Sequence, residues 1–143
     1  IKKIEMCGIV GFLKSELRES QYGVILQRMS DKIIHRGPDD NGIWYDFESK
    51  IGLAHRRLSI LDISKAGSQP MVSTNSRYII VYNGEIYNHL ELRKELLSHN
   101  LVLGWKGNSD TETLLAGFEK WGIKNTLKKC IGMFAIAIWD KKE

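Results

Sequence analysis

The stretch Tyr78-Ile-Ile-Val-Tyr-Asn-Gly-Glu85 is an apolar run that ends on an Asn-Gly pair. Alternating aromatic and β-branched residues favour a strand, and Asn-Gly is a strong turn signal, so the pattern predicts a buried strand over 78–82 followed by a turn. The turn would present the Asn83 carboxamide, the Gly84 N–H and the Glu85 carboxylate. An amide side chain beside an unobstructed main-chain N–H can stabilise a developing oxyanion. The alternative is an ordinary strand-to-helix turn, which is the commoner use of Asn-Gly.

A second apolar run, Met133–Trp139, resembles Tyr78–Tyr82 in showing almost no polar alternation. A strand that is apolar on both faces must be covered on both faces. Three amphipathic helices are predicted, so the sequence favours an α+β fold, a four-layer αββα sandwich of two mainly antiparallel sheets flanked by helices. An open parallel sheet is the second interpretation. It is disfavoured because the predicted strands at 42–45 and 51–55 are joined by a tip too short for a helical crossover.

Local signals predict where the helices begin and end. Apolar residues at three- and four-residue steps indicate the first helix, which Gly37-Pro38 must terminate. Asn88 and Ser109 each stand three residues before a glutamate, which is the pattern of a capping box at a helix start. The predicted helices cover about 19–34, 89–98 and the segment from Ser109 to Gly122, and a first strand is predicted over 7–13.

Composition and charge narrow the class of protein. With 143 residues, 43% of them hydrophobic and 27% charged, the chain fits one soluble globular domain. The net charge of +4 is mild and the basic residues are scattered, which argues against a nucleic-acid partner. No apolar run reaches the roughly 18 residues of a membrane span. Cys7 and Cys130 are too few for a disulfide framework or a metal cluster, so a cytoplasmic protein without a bound metal is expected.

Cys7 is the only credible nucleophile, because Cys130 directly precedes an apolar strand and is interpreted as buried packing. The four histidines, at 35, 55, 89 and 99, have no clear claim to be its base, and His55 adjoins an arginine that disfavours a protonated imidazole. Met6, however, precedes Cys7 as a trimmed initiator would. Cys7 would then be N-terminal, and its α-amine, with an ordinary pKa of about 7.7–8.0, could accept the thiol proton.

Seven short motifs follow one another from Met6 to the end of the chain: Met6-Cys-Gly-Ile-Val-Gly11, His35-Arg-Gly-Pro-Asp39, His55-Arg-Arg-Leu-Ser-Ile-Leu-Asp62, Gly67-Ser-Gln-Pro70, Asn83-Gly-Glu-Ile-Tyr-Asn88, Ser109-Asp-Thr-Glu112 and Gly132-Met-Phe-Ala135. Together they resemble the glutaminase domain of asparagine synthetase, a class II glutamine amidotransferase domain of the N-terminal-nucleophile hydrolase superfamily. The His-Arg-Gly-Pro-Asp form is more similar to asparagine synthetases than to the amidotransferases of purine or amino-sugar synthesis. The resemblance implies an amidotransferase domain over residues 7–143, with residues 1–6 as an extension or leader remnant.

The resemblance also implies a reaction. Cys7 would attack the side-chain amide of L-glutamine, and its α-amine would pass a proton to the departing ammonia. Asn83 and Gly84 would hold the tetrahedral oxyanion. The implied reaction yields L-glutamate and ammonia through a γ-glutamyl thioester, and it needs no cofactor in this domain.

The resemblance further implies how the amino-acid end of glutamine is bound. Arg57 would bind the α-carboxylate, since a planar guanidinium matches a carboxylate with two parallel bonds. Asp110 would bind the α-ammonium, although a carboxylate in the first turn of a helix is also common for structural reasons. The full set implied for substrate binding is Arg57, Leu58, Ser59, Ile60, Leu61, Asn83, Gly84, Glu85 and Asp110.

Two features depart from the family pattern. Ile1–Glu5 precede Met6, and while they are attached the nitrogen of Cys7 is an amide without basicity. The segment is interpreted as a misassigned start, a trimmed leader or an expression remnant. In addition, no Ser-Gly-Gly-type nucleotide-phosphate loop occurs, so an ATP-dependent synthetase domain, with its ATP and Mg²⁺, is expected C-terminal to this chain as the partner that receives the ammonia.

Three functional hypotheses remain at this stage. The first is glutamine hydrolysis that supplies ammonia for transfer to aspartate or another carboxylate. The second is a catalytically silent module that binds glutamine or regulates, because Cys7 is never exposed as an N-terminus. The third, a related amidase acting on another amide, is disfavoured by the amino-acid grip implied for Arg57 and Asp110. The sequence leaves a homodimer open and predicts no membrane partner.

Overall fold

The computed structural model describes residues 7–13, 16–58, 67–99 and 104–143. The predicted extension over 1–6 and the predicted site residues Ser59, Ile60 and Leu61 therefore lie outside the described residues. No helix in the described part of the chain is both long and apolar enough to cross a membrane. The elements are β1 Gly8–Leu13, α1 Glu19–Asp31, a 3-10 helix Ile34–Arg36, β2 Asp40–Asp46, β3 Ile51–Arg57, β4 Met71–Val72, β5 Tyr78–Ile86, α2 His89–Ser98, α3 Asp110–Trp121, α4 Ile123–Lys129 and β6 Gly132–Asp140.

Two antiparallel sheets form the centre of the molecule. The first sheet has the strand order β1-β3-β2, and the second has the order β4-β5-β6. Between them, Ile51 and Leu53 of β3 pack in one apolar cluster with Ile79 and Val81 of β5. All four are odd-numbered, so the odd faces of β3 and β5 are turned towards each other. The predicted pair of stacked antiparallel sheets is confirmed.

Helices cover the outer face of each sheet. On the first sheet α1 lies so close to β3 that a Cβ added to Gly52 would stand 2.9 Å from Cδ1 of Leu26. On the second sheet the even-numbered face of β5 packs against α2 and α3. That cluster consists of Tyr78, Ile80, Tyr82, Ile86, Leu92, Leu114, Leu115 and Phe118. The predicted αββα sandwich is confirmed. The middle strand of each sheet is covered on both faces: β3 is buried throughout, and β5 is buried over residues 78–82.

The strand β5 does not end at Asn83, where the Asn-Gly signal predicted a turn. It continues to Ile86, and its register with β6 is unbroken as far as the pair Ile86–Gly132. Gly84 is required inside the ladder, because its φ is +153° and an added Cβ would stand 2.5 Å from Cα of Phe134. The prediction was wrong because pairing with the long strand β6 overrides a local turn preference.

The capping box predicted at Asn88 does not form. The side chain of Asn88 makes no bond to the first turn of α2. It donates to the carbonyl oxygen of Lys129 at 2.9 Å and accepts from the N–H of Ile131 at 2.8 Å. Asn88 therefore joins the start of α2 to the start of β6, two segments more than forty residues apart in the chain.

The remaining helix boundaries follow the prediction in part. Ser109 caps α3, accepting from the N–H of Thr111 at 3.2 Å, as predicted. Glu112 does not complete the capping box, since its carboxylate accepts from the N–H groups of Lys106 and Gly107 instead. The first helix ends at Asp31, before the 3-10 turn, rather than near 34. Helix α4 was not predicted, because its seven residues carry too short an apolar pattern.

Candidate active site

The predicted nucleophile, Cys7, lies directly before β1 and beside the end of β3. In the β1–β3 ladder Gly8 pairs with Arg56, so the register carried one residue back sets Cys7 opposite Arg57. The Cys7 sulfur is 3.4 Å from the main-chain nitrogen of Leu58 and 3.8 Å from its carbonyl oxygen. The thiol is half-buried. Three predicted site residues, Cys7, Arg57 and Leu58, therefore meet at one corner of the first sheet.

Arg57 is buried at the end of β3, with 9% of its surface exposed. Arg57 is an even number of residues from Ile51 and Leu53 along β3, so its side chain lies on the same face. That face of the first sheet is turned towards the second sheet. Its guanidinium lies against Gly67, where an added Cβ would stand 2.5 Å from Nη2. Gly67 thus lies directly against the guanidinium of Arg57.

The main chain of β5 has one edge towards β6 and another towards β4. Odd-numbered residues bond towards β6. Just beyond the ends of the two strands, for example, the N–H of Tyr87 donates to the carbonyl oxygen of Ile131. Even-numbered residues face the other edge, where β4 pairs only with Ile79 and Ile80. Beyond β4 the side chains of Gln69 and Asp110 replace a neighbouring strand: Gln69 Oε1 accepts from the N–H of Tyr82 at 2.6 Å, and Asp110 Oδ2 accepts from the N–H of Ile86 at 3.0 Å.

Gly84 lies between these two side-chain contacts on the same edge of β5. The alternation of the strand directs its main-chain N–H to the side on which Tyr82 and Ile86 are bonded. Among the described residues none pairs with Gly84 at this edge. A main-chain donor that is held rigidly in a ladder and left without a strand neighbour is the kind of group that can bind a ligand oxygen.

Asn83 and Glu85 lie on the opposite face of β5 from the helices. Asn83 continues the odd-numbered face of Ile79 and Val81, which packs against the first sheet, and Cys7 precedes Ile9 on the matching face of β1. Asn83 is half-buried, and Glu85 is exposed. The structure therefore sets Asn83 on the same inter-sheet side as Cys7 and Arg57.

Asp110 is the first residue of α3, and its carboxylate closes the edge of β5. Its Oδ2 accepts from the hydroxyl of Tyr82 at 2.7 Å as well as from the N–H of Ile86. Burial, together with the negative charge of Asp110, raises the pKa of the Tyr82 hydroxyl, which therefore stays a donor. The predicted neighbourhood of Asp110 and the Asn83–Glu85 segment is present, and the binding role of Asp110 stays a prediction.

His55 was given no role from the sequence, although it stands in phase with the buried residues of β3. It is 1% exposed, and its Nε2 lies 3.1 Å from the carbonyl oxygen of Tyr82 on β5. Burial, with a further contribution from Arg57, lowers the pKa of His55 from 6.5 to about 4. His55 is therefore neutral near pH 7. Through Nε2 it donates a hydrogen bond that joins the two sheets at this corner.

Arg93 was also missed, because a basic residue in an amphipathic helix is normally exposed. It is 7% exposed, and its guanidinium lies 4.3 Å from the ring centre of Trp105. It donates to Thr113 Oγ1 at 2.8 Å and to the carbonyl oxygens of Gly107 and Ser109 at 2.8 and 2.7 Å. These bonds hold the segment that leads into Asp110. Its position one turn before Leu96, on the apolar side of α2, is the signal that was available.

Comparison with known proteins identifies the family of the chain. A family model described as a glutamine amidotransferase domain matches residues 6–143. Asparagine synthetase (glutamine-hydrolyzing) 2 of Bacillus subtilis strain 168 is 41% identical over 140 residues, covering 96% of this chain and 18% of that protein. Asparagine synthetase (glutamine-hydrolyzing) 1 of the same strain is 39% identical over 140 residues, covering 96% of this chain and 21% of that protein. The chain spans about a fifth of the length of these curated relatives.

A solved structure supports the architecture. Glutamine phosphoribosylpyrophosphate (PRPP) amidotransferase from B. subtilis, complexed with ADP and GMP, superposes with a TM-score of 0.62. The identity is 20%, and the match covers 94% of this chain and 35% of that one. At this identity the similarity concerns the fold alone, and it supports the predicted αββα sandwich.

Proposed function

We propose a specific reaction from the premise that the chain belongs to the glutamine amidotransferase domain family: hydrolysis of L-glutamine to L-glutamate and ammonia. The observation that carries the proposal is the corner where Cys7 Sγ lies 3.4 Å from the Leu58 N–H nitrogen, opposite the buried Arg57. A thiol on the residue opposite a buried arginine sets a nucleophile on the same sheet corner as a side chain that can bind carboxylates. That combination suits a substrate that is itself an amino acid.

The proposed chemistry takes place on Cys7. Its sulfur attacks the amide carbon of glutamine while its own α-amine, once residue 7 is the N-terminus, accepts the thiol proton. The amine then protonates the departing nitrogen, the C–N bond breaks, and a γ-glutamyl thioester remains. Water attacks the thioester, and glutamate leaves as the thiol is restored. The Asn83 carboxamide and the Gly84 N–H would stabilise the negative oxygen in both tetrahedral steps.

The amino-acid end of glutamine would be held by groups of opposite charge. Arg57, whose guanidinium lies against Gly67, would bind the α-carboxylate with two parallel bonds. Asp110 and Glu85 would bind the α-ammonium, and the main chain of residues 57–61 would complete the grip. Support comes from the edge of β5, where Asp110 is bonded to the N–H of Ile86, two residues beyond Gly84.

The ammonia would be used by an ATP-dependent synthetase domain. Support comes from the curated relatives, which are named asparagine synthetases and are about five times as long as the part this chain matches. The acceptor would be aspartate or another carboxylate, with ATP and Mg²⁺ bound by that other domain. The reaction in this domain would need no cofactor, and a cytoplasmic setting, where thiols stay reduced, would suit the free thiol of Cys7.

The proposal is tested by labelling Cys7 with a glutamine analogue that carries an electrophilic ketone in place of the amide. Chains that begin at Cys7 are compared with chains that retain residues 1–6, using intact mass and ammonia release. One adduct on Cys7 together with glutaminase activity, both confined to chains that begin at Cys7 and both abolished by Cys7→Ala, is the expected result. Glutamine binding without adduct or ammonia would instead favour the silent glutamine-binding module. Full activity in chains that retain residues 1–6 would contradict the α-amine mechanism.

A further inference from the structure

The hydroxyl of Tyr82 is a buried polar group that ends on a single carboxylate oxygen. Tyr82 is 3% exposed, and its ring lies in the apolar cluster between β5 and the helices, 6.3 Å from the ring of Phe134. Its hydroxyl donates to Asp110 Oδ2 at 2.7 Å. A tyrosine at an apolar position of a strand could be replaced by phenylalanine without loss of packing, so the hydroxyl serves the bond to Asp110.

Both hydrogen bonds that Asp110 accepts fall on the same oxygen. Tyr82 and the N–H of Ile86 donate to Oδ2, and within residues 7–13, 16–58, 67–99 and 104–143 no donor reaches Oδ1. An ionised carboxylate has acceptor capacity on both oxygens. Two donors on one oxygen therefore restrict the orientation of the group and leave the acceptor capacity of its second oxygen unused among the described residues.

The main chain of Tyr82 is itself held from both sides. Its N–H is bonded to Gln69 Oε1 at 2.6 Å, and its carbonyl oxygen accepts from His55 on the first sheet at 3.1 Å. The hydroxyl that holds Asp110 is thus on a residue anchored to both sheets. Few local rearrangements can move Asp110 without breaking one of these bonds.

The spacing along β5 relates Asp110 to the proposed reaction centre. Gly84 and Ile86 are two residues apart on one strand edge, which corresponds to about 7 Å. Asp110 Oδ2 is bonded at Ile86, and the N–H of Gly84 is the proposed oxyanion donor. An extended glutamine can span this interval with its amide at Gly84 and its α-ammonium at Asp110.

We propose that Tyr82 is a positioning residue for the substrate α-ammonium, holding Asp110 through Oδ2 so that Oδ1 faces the bound amino acid. The inference rests on the proposed function, because it takes glutamine as the ligand. It assigns Tyr82 a part in recognising the α-amino group and none in the bond-breaking steps at Cys7.

The test measures binding with hydrolysis switched off. In the full chain carrying Cys7→Ser, Kd is measured by calorimetry for L-glutamine and for 4-carbamoylbutanoate, which is glutamine without its α-amino group. Tyr82→Phe is expected to raise Kd for L-glutamine about tenfold, the order of magnitude of a lost bond to a charged group, and to leave Kd for 4-carbamoylbutanoate unchanged. Tyr78→Phe is the matched control, since Tyr78 lies on the same face of β5 with equal burial and packs on Phe118.

A second comparison separates positioning from a general structural effect. In an Asp110→Asn background Tyr82→Phe is expected to add less than a twofold change in Kd for L-glutamine, because the group it positions is already altered. The inference would be overturned if Tyr82→Phe raised Kd equally for both ligands or did not change Kd for L-glutamine. It would also be overturned if the effect of Tyr82→Phe on Kd were as large in the Asp110→Asn background as in its absence. If chains that begin at Cys7 hydrolyse glutamine and the Tyr82→Phe variant binds L-glutamine with unchanged Kd, only this inference fails. If Tyr82→Phe weakens the binding of L-glutamine but chains that begin at Cys7 release no ammonia from glutamine, only the proposed reaction fails.

Discussion

The imidazole of His55 on β3 is hydrogen-bonded to the main-chain carbonyl of Tyr82 on β5, with 3.1 Å between Nε2 and the oxygen. The bond joins the two sheets beside the corner where Cys7 and Arg57 lie. It requires a proton on Nε2 of the imidazole, and burial, with a contribution from the charge of Arg57, keeps the ring neutral by lowering its pKa.

The first prediction concerns stability against pH. The pKa of His55 is about 4 in the folded chain and 6.5 when exposed, so below pH 6.5 the unfolded chain takes up a proton that the folded chain does not. The free energy of unfolding should therefore fall as the pH declines from 6.5 to 4, by on the order of 3 kcal/mol from this residue. Urea unfolding at several pH values measures it.

The control for this prediction is the variant His55→Gln, in which the additional loss between pH 6.5 and 4 should disappear. Carboxylates that titrate in the same range contribute equally to both proteins and cancel in the difference. The exposed His99→Gln variant should retain the wild-type profile. Identical pH profiles for wild type and His55→Gln would show that the buried imidazole does not control acid stability.

The second prediction concerns Gly67 and Arg57. A methyl group at Gly67 would stand 2.5 Å from Nη2 of Arg57, at the tip of a flexible side chain that can move aside. Gly67→Ala should therefore change the free energy of unfolding by less than about 1 kcal/mol but raise KM for glutamine about tenfold or more, because Arg57 no longer meets the α-carboxylate.

Gly104→Ala provides the comparison for Gly67→Ala, since a Cβ at Gly104 meets no atom of the described residues within 4 Å. It should leave both stability and KM unchanged. If Gly67→Ala keeps the wild-type KM while remaining folded, Arg57 does not bind the carboxylate in the orientation seen here.

The third prediction concerns Asn83, whose proposed contact with the substrate strengthens only as the oxyanion forms. Asn83→Ala should lower kcat by about 10²–10³-fold, with little change in KM, since one oxyanion donor is worth roughly 2.7–4 kcal/mol. Steady-state ammonia release by chains that begin at Cys7 gives both constants. A rise in KM at constant kcat would assign Asn83 to ground-state binding instead.

The fourth prediction concerns Arg93, which holds the segment before Asp110. Lysine cannot reproduce the three guanidinium bonds to Thr113, Gly107 and Ser109, so Arg93→Lys leaves buried acceptors without donors. The free energy of unfolding should fall by about 2–4 kcal/mol in urea denaturation. Lys94→Ala, at the adjacent and exposed position, should lower the free energy of unfolding by less than about 0.5 kcal/mol. An equally small loss in Arg93→Lys would show that Arg93 does not stabilise the segment before Asp110.

Much of the fold could be read from short windows of sequence. Two apolar runs without polar alternation predicted strands covered on both faces. The run in β5 is buried in this way, whereas β6, which pairs with it, is only half-buried and leaves Met133 and Ala135 exposed. Ser109 was correctly identified as a helix cap, because a cap depends on residues within one turn. The neighbourhood of Cys7 and Arg57 was expected from a family resemblance, since nothing local in either segment indicates that β1 pairs with β3.

The contacts that shape the candidate site were decided by tertiary structure. The Asn-Gly turn signal at Asn83 lost to the ladder with β6, and Asn88 caps no helix because its amide is used by Lys129 and Ile131. Backbone propensities and apolar periods act over a few residues, so the sequence by itself determined most of the longer elements and the two-sheet, helix-covered architecture. Hydrogen bonds such as His55 to Tyr82 or Tyr82 to Asp110 join residues that are 27 and 28 positions apart. Such bonds form only where packing has already removed water and brought a donor to an acceptor, which is a property of the assembled sheets and not of any segment.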